Sequence, residues 1–168
     1  MTMTKPLGVA VVGLGVGRAH AHAYAAEPRC RLEVLCDLDR RKAEKAARSF
    51  SGCRVAADLS EVLSDPAVQV VSIASYDDAH FRQARAALMA GKHVFVEKPL
   101  CRSLAEARAL RSAWKAGGRP HLASNLVLRA APLYRWLREA VSTGRLGEIY
   151  AVDGDYLYGR LHKITEGW

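Results

Sequence analysis

Leu7-Gly-Val-Ala-Val-Val-Gly13-Leu-Gly15-Val-Gly17 is the stretch that decides the fold. An apolar run rich in β-branched residues ends at three closely spaced glycines, and a helix-like segment follows at once. This order predicts a strand, a tight turn and the start of a helix. The glycines let the backbone adopt positive φ and let a phosphate approach the main chain, and the free N–H groups of the following helix favour an anion. Taken alone, the stretch is equally compatible with an ordinary glycine-rich turn.

An acidic residue about 20 residues beyond the glycines strengthens the nucleotide-binding interpretation. Asp37 directly follows a second apolar stretch, residues 32–36. In a dinucleotide-binding unit, a carboxylate at the end of the second strand accepts hydrogen bonds from a ribose. The alternative is that Asp37 caps a helix predicted at residues 39–50.

Length and composition are those of a globular chain. The 168 residues are enough for one domain, or for one domain and part of another, and half of them are hydrophobic. No apolar run approaches the roughly 20 residues of a membrane span, and the N-terminus enters the first strand without a signal peptide. The spacing of the four cysteines favours neither a metal site nor disulfides; they are Cys30, Cys36, Cys53 and Cys101. We therefore expect a cytoplasmic protein with reduced thiols and no membrane partner.

The net charge of +8 raises the question of a nucleic-acid partner. The basic residues are spread over several segments and mostly occupy positions on predicted helix surfaces. They are not concentrated in one stretch interleaved with aromatic residues. The pattern favours a solvated basic surface that attracts anionic cofactors, and no nucleic-acid partner is expected.

Strand and helix patterns alternate as far as residue 124. Strands are predicted at residues 7–12, 31–36, 53–56, 68–74, 92–96 and 121–124. Helices are predicted at residues 18–26, 39–50, 79–90 and 103–116, with a short one after Asp58; capping boxes start the helices at Asp58 and Ser103. This alternation predicts an α/β fold with a doubly wound parallel sheet, a Rossmann domain over residues 1–124. Ligands bind at the carboxyl ends of the strands in such sheets, where the loops 13–17, 75–78 and 97–99 are expected.

The alternation of strand and helix patterns stops after residue 124. Residues 132–141 form an amphipathic helix pattern, whose Trp136 and Leu137 are predicted to be core residues. Residues 148–158 alternate like a long strand. A lone strand of this length leaves its edges unpaired. Residues 125–168 are therefore expected to be the first helix and strand of an incomplete substrate domain.

These pieces together resemble the glucose–fructose oxidoreductase / inositol dehydrogenase (Gfo/Idh/MocA) family. The matching segments are Gly-Leu-Gly-Val-Gly-Arg-Ala-His at residues 13–20, Asp37, Ser-Ile-Ala-Ser-Tyr-Asp-Asp-Ala-His at 72–80, Gly-Lys-His-Val-Phe-Val-Glu-Lys-Pro at 91–99 and Leu-Gly-Glu-Ile at 146–149. The Glu-Lys-Pro at a strand end is a hallmark of that family. The resemblance covers essentially the whole chain and implies a nicotinamide-dinucleotide enzyme that oxidises or reduces sugars, cyclitols and related polyols. It also allows for a homo-oligomer.

The resemblance implies a role for each matching residue. The glycines would hold the pyrophosphate, and Asp37 would bind the adenosine ribose and favour NAD over NADP, because its charge repels a 2′-phosphate. Lys98 would be the catalytic residue beside the nicotinamide ribose, and Pro99 would follow a cis bond that aims Lys98 into the cleft. The full set of implied cofactor-binding residues is Gly13, Gly15, Val16, Gly17, Asp37, Ser75, Tyr76, His80, Glu97 and Lys98.

The sequence departs from the family pattern at three places. Gly17 stands one position before the usual third glycine, where the chain has Arg18 instead. Tyr76 and Asp77 replace a common Pro-Asn pair. The acid–base Asp and His that family members carry on a downstream helix have no counterpart.

Other interpretations of these residues stay open. Lys98 could be a solvated loop lysine, and His20 and His80 could be packing or capping residues at helix starts. The first functional hypothesis is the N-terminal portion of an NAD-dependent oxidoreductase, and the second is a nucleotide-binding module without turnover. A third is an S-adenosylmethionine methyltransferase, although Val11 stands where such enzymes carry an acid.

Overall fold

The computed structural model describes residues 5–157, 159 and 165. The chain divides into two compact units, Met1–Leu126 and Val127–Trp168. The first unit contains all the predicted strand–helix repeats.

The first unit is built on one parallel sheet, as predicted. Its strands are β1 (Leu7–Val12), β2 (Cys30–Cys36), β3 (Arg54–Val55), β4 (Val70–Ile73), β5 (His93–Val96) and β6 (Leu122–Ser124). They are ordered β3-β2-β1-β4-β5-β6, and every neighbouring pair is parallel. The strand order therefore reverses direction at β1, and the crevice between β1 and β4 is the topological switch point.

Helices cover both faces of this sheet. They are α1 (Gly17–Ala26), α2 (Arg40–Ala47), α3 (Leu59–Ser64), α4 (Asp77–Met89) and α5 (Leu104–Ala116). Successive side chains of a strand point to opposite faces, so Val11 packs in a cluster with residues of α1 and α2. Val12 joins a larger cluster with residues of α3, α4 and α5. Both capping boxes are confirmed, since Asp58 and Ser103 accept hydrogen bonds from the amides three residues ahead.

The second unit differs from its prediction. It contains a 3₁₀ turn (Val127–Arg129) and α6 (Pro132–Ser142), but residues 148–157 form no strand. The alternating pattern marks a segment able to pair, and the described part of this unit offers no strand for it to pair with. Tyr158 lies outside the described residues. Trp136 and Leu137 are not core residues, because they remain 46% and 39% exposed, and Ala140 is the buried residue of the helix.

Within residues 5–157, 159 and 165, no helix is both long enough and apolar enough to span a bilayer.

Gly13, the first residue after β1, occupies a position that no other residue fits. Its φ is +85°, and a Cβ there would lie 2.6 Å from the amide nitrogen of Ser75 and 2.7 Å from the carbonyl carbon of Ala74. Both neighbours are backbone atoms of the loop that follows β4. The glycine thus permits the loops after the two central strands to touch.

We expect Gly13→Ala to lower the free energy of unfolding by about 2–5 kcal/mol, because backbone strain adds to a clash with fixed main-chain atoms. The matched control is Gly52→Ala, where φ is +75° but nothing lies within 4 Å of the added Cβ. That variant should lose only about 1–2 kcal/mol. Urea denaturation measures both, and equal losses would contradict the role assigned to the contact between the two loops.

Candidate functional site

The residues that follow the strands lie side by side because the sheet's hydrogen bonding continues past the strand ends. The amides of Gly13, Ala74, Glu97 and Asn125 each donate to the last residue of the neighbouring strand, at 2.8, 2.8, 2.8 and 2.7 Å. These four residues follow β1, β4, β5 and β6. The carboxyl edge therefore presents a row of loop residues on both sides of the switch point.

The glycine turn leaves open space for a ligand. A Cβ on Gly15 would have no atom within 4 Å, whereas a Cβ on Gly17 would lie 3.0 Å from Val11 Cγ1 and 3.2 Å from Ala74 Cβ. Gly17 thus performs the helix–strand packing of the usual third glycine, one residue early in the sequence. Val16 is the N-cap residue of α1, and no side chain caps this helix. An anion can accordingly approach the first turn of α1 from the side of Gly15.

Asp37 ties the end of β2 to this turn. Its Oδ2 accepts a 2.6 Å hydrogen bond from the amide of Leu14, and its Oδ1 accepts one of 2.9 Å from the amide of Asp39. The Nζ of Lys42 lies 3.5 Å from Oδ2. The alternative in which Asp37 caps α2 is wrong, because Asp39 is the N-cap residue.

Three residues of the implied cofactor-binding set follow β4: Ser75 and Tyr76 lie in the loop, and His80 lies in α4. Tyr76 is the N-cap residue of α4, and its side chain is 63% exposed. The hydroxyl of Ser75 donates to Gln83 Oε1 at 2.6 Å. His80 is fully buried; its Nδ1 lies 2.8 Å from the carbonyl oxygen of Pro99 and its Nε2 lies 3.1 Å from that of Ser75. The ring therefore joins the loops after β4 and β5.

Glu97 lies at the centre of a polar network. Its Oε1 accepts a hydrogen bond from Asn125 Nδ2 at 2.6 Å and lies 3.1 Å from His20 Nε2, and its Oε2 accepts one from the amide of Lys98 at 3.1 Å. Burial by itself raises the pKa of Glu97, but the hydrogen bonds from Asn125, Lys98 and His20 outweigh it and hold the pKa below its usual value. Glu97 is thus an ionised acceptor.

Lys98 is exposed at the same edge, and its Nζ forms no ion pair with any part of the chain that the structure describes. The peptide bond between Lys98 and Pro99 is cis, as the resemblance implied. An exposed ammonium on the residue that follows an ionised carboxylate is an arrangement that can bind hydroxyl groups of a ligand.

The family follows from comparison with known proteins. The model of the Gfo/Idh/MocA oxidoreductase family, described by its NAD-binding Rossmann fold, matches residues 7–122. The chain belongs to this family. That membership replaces the methyltransferase hypothesis.

Individual Gfo/Idh/MocA relatives agree with the family model. Inositol 2-dehydrogenase 2 of Saccharopolyspora erythraea is 32% identical over 145 residues, which are 86% of this chain and 43% of the relative. Levoglucosan dehydrogenase of Pseudarthrobacter phenanthrenivorans is 32% identical over 125 residues, which are 74% and 32% of the two chains. The structure of GenD2 from gentamicin A biosynthesis in complex with NAD has a TM-score of 0.78 and 36% identity, and covers 86% of this chain and 41% of that one. The chain thus spans 32–43% of the length of these relatives.

The Gfo/Idh/MocA motifs led to most of the residues at this edge, but not to Asn125. Asn125 is a polar residue that directly follows the last strand, the same position that marked Asp37 and Glu97, so this signal was present in the sequence. For His20 the sequence leaves open a packing or a capping role at the helix start, whereas its contact with Glu97 joins positions 77 residues apart. Nothing in the local sequence indicates such a pair.

We expect His80→Ala to lower the free energy of unfolding by about 2–4 kcal/mol, because it removes a buried ring and leaves the carbonyl oxygen that its N–H contacts without a partner. His22→Ala is the control, since His22 is an exposed residue of α1 and should change stability by less than about 1 kcal/mol. Urea denaturation of both variants measures these free energies. A loss of unfolding free energy for His80→Ala no larger than that of the control would contradict the role of His80 in joining the loops after β4 and β5.

The lowered pKa of Glu97 predicts a pH dependence. Since folding favours the ionised form, its contribution to stability is present above its ordinary pKa of 4.5 and is lost as the pH falls through the lower folded-state value. The unfolding free energies of the wild type and Glu97→Gln should therefore differ more at neutral pH than well below pH 4.5. Urea titrations at the two pH values measure the two free energies of unfolding. A difference between the variants that does not change with pH would show that the neighbours of Glu97 do not lower its pKa.

Proposed function

We propose that this chain binds NAD along the carboxyl edge of its sheet as the cofactor-binding part of an oxidoreductase acting on a sugar, a cyclitol or a related polyol. The family carries an NAD-binding Rossmann fold, which supports the choice of cofactor. The relatives named as inositol and levoglucosan dehydrogenases support the substrate class. Hydride transfer at a carbon that bears a hydroxyl or carbonyl group is the reaction these names share.

The open space at Gly15 is the observation that carries the proposal. It lies between β1 and the start of α1, at the switch point, where the main chain can be approached without a Cβ in the way. The uncapped first turn of α1 offers N–H groups and the positive end of the helix dipole. A pyrophosphate carries the charge and the size that such a cradle selects, so the residues present fit the cofactor.

Asp37 determines the adenosine end of the proposed site. Its carboxylate is held in place by the amides of Leu14 and Asp39, which leaves acceptor capacity for ribose hydroxyls. A 2′-phosphate would bring a second negative charge to the same place. The proposal is therefore NAD in preference to NADP, with a preference softened by the nearby Lys42 ammonium.

The nicotinamide end lies at the loops after β4 and β5. Bound NAD supplies a carbon that accepts or gives a hydride. Ser75 and Tyr76 would line this half, and the Glu97 carboxylate would accept hydrogen bonds from ribose hydroxyls. Lys98 is the candidate catalytic residue, because an exposed ammonium can hold the substrate hydroxyl and stabilise a developing alkoxide.

Calorimetric titration with NAD tests the proposal. We expect saturable binding by the wild type, weaker binding of NADP, and at least about a ten-fold loss of NAD affinity in Gly15→Ala, since the added methyl would occupy the cradle. Gly154→Ala is the matched control; its Cβ also meets nothing within 4 Å, and it lies outside the sheet-bearing unit.

Both glycine variants should unfold at the same urea concentration as the wild type, because neither added methyl touches the protein. No NAD binding by the wild type would contradict the proposal, and so would Gly15→Ala binding as tightly as the control. Binding without turnover of any polyol would favour the hypothesis of a binding module.

A further inference from the structure

The Glu97 carboxylate is contacted by three nitrogen atoms. Two donors come from elements far apart in sequence, namely His20 on α1 and Asn125 after β6, and both meet the same oxygen, Oε1. The side chains of His20 and Glu97 are 11% and 13% exposed. Three parts of the fold thus converge on one carboxylate at the edge of the sheet.

Among the residues that the structure describes, the partners of Glu97 leave one acceptor position unused. A carboxylate offers about four lone-pair positions, two on each oxygen. His20 and Asn125 occupy those of Oε1, and the amide of Lys98 occupies one of Oε2. The remaining position on Oε2 is the one that a ligand hydroxyl can fill.

His20 is itself held on several sides. Its Nδ1 lies 3.0 Å from the hydroxyl oxygen of Ser72 on β4, and its ring packs edge-on against Phe95 with centroids 5.6 Å apart. The Nε2 of His20 must carry the ring proton, because an ionised carboxylate can only accept hydrogen bonds. Since His20 lies one turn into α1, the helix that presents its N-terminus to the pyrophosphate also orients Glu97.

We propose that His20 and Asn125 are positioning residues that fix the Glu97 carboxylate for the ribose on the nicotinamide side of NAD. This inference rests on the proposed function. Removing either donor leaves Oε1 with an unfilled position, so the carboxylate can turn and Oε2 no longer faces one ligand hydroxyl. The loss concerns one half of the cofactor, because the pyrophosphate cradle at Gly15 contains neither residue.

Three ligands of increasing length distinguish effects on the two halves of the cofactor site. ADP lacks the second ribose, ADP-ribose includes it, and NAD adds the nicotinamide. We expect His20→Ala and Asn125→Ala each to weaken ADP-ribose and NAD by about ten-fold, the equivalent of about one hydrogen bond to a charged group, and to change ADP affinity less than about two-fold. Calorimetry on the 168-residue chain measures all three ligands.

Matched variants keep the test specific. His22→Ala alters the same helix at an exposed position, where the ring lies 5.0 Å from Phe50, and should change no affinity. His20→Gln retains an N–H that can reach Glu97 and should recover part of the lost affinity. Asn125 is only half-buried after the last strand, so Asn125→Ala carries the test if His20→Ala fails to fold.

The outcomes distinguish this inference from the proposed function. Loss of ADP-ribose and NAD affinity with ADP unaffected supports it. An equal loss for all three ligands overturns it, because the residues would then act on the whole site or on the fold. Wild-type protein that binds none of the ligands overturns the proposed function and this inference with it, whereas wild-type binding that His20→Ala and Asn125→Ala leave unchanged overturns the inference alone.

Discussion

The hydrogen bonds that continue the parallel sheet beyond its strand ends are the constraint on which the site depends. In a parallel sheet all strands reach the same edge, so residues far apart in sequence begin their loops in one row. Gly13, Ala74, Glu97 and Asn125 are fixed there by bonds of 2.7–2.8 Å to neighbouring strands. Their positions follow from sheet register and not from the loops themselves, which gives the edge the rigidity that a binding site needs.

Within the glycine turn, some glycines allow close packing and another leaves open space. Gly13 allows contact with the loop after β4, and Gly17 allows α1 to approach Val11 and Ala74, while the space at Gly15 remains open. Gly13 and Gly17 allow the turn to pack closely against the sheet, whereas Gly15 faces open space. A glycine segment one residue shorter than the family pattern can therefore keep the helix close to the sheet and still leave an uncovered amide region at Gly15.

Much of the first unit could be predicted from sequence because its signals are local. Apolar runs gave the strands, and capping boxes gave two helix starts that the structure confirms. Contacts between distant positions carry no local signal, which is why the pairing of His20 with Glu97 was missed. The strand predicted at 148–158 failed over 148–157 for a related reason: alternation shows that a segment can pair, while pairing requires a partner strand.

The loop after β5 combines a fixed backbone with a free side chain. Glu97 is bound by donors from α1 and from the end of β6, and the carbonyl of Pro99 lies 2.8 Å from the buried ring of His80. Lys98 lies between these two anchored residues, and its side chain is exposed. Because the flanking residues are already ordered, contact with a ligand costs the main chain at Lys98 little further freedom, and only the exposed side chain has to be ordered. The polar network and the buried histidine thus fix the main chain on both sides of Lys98.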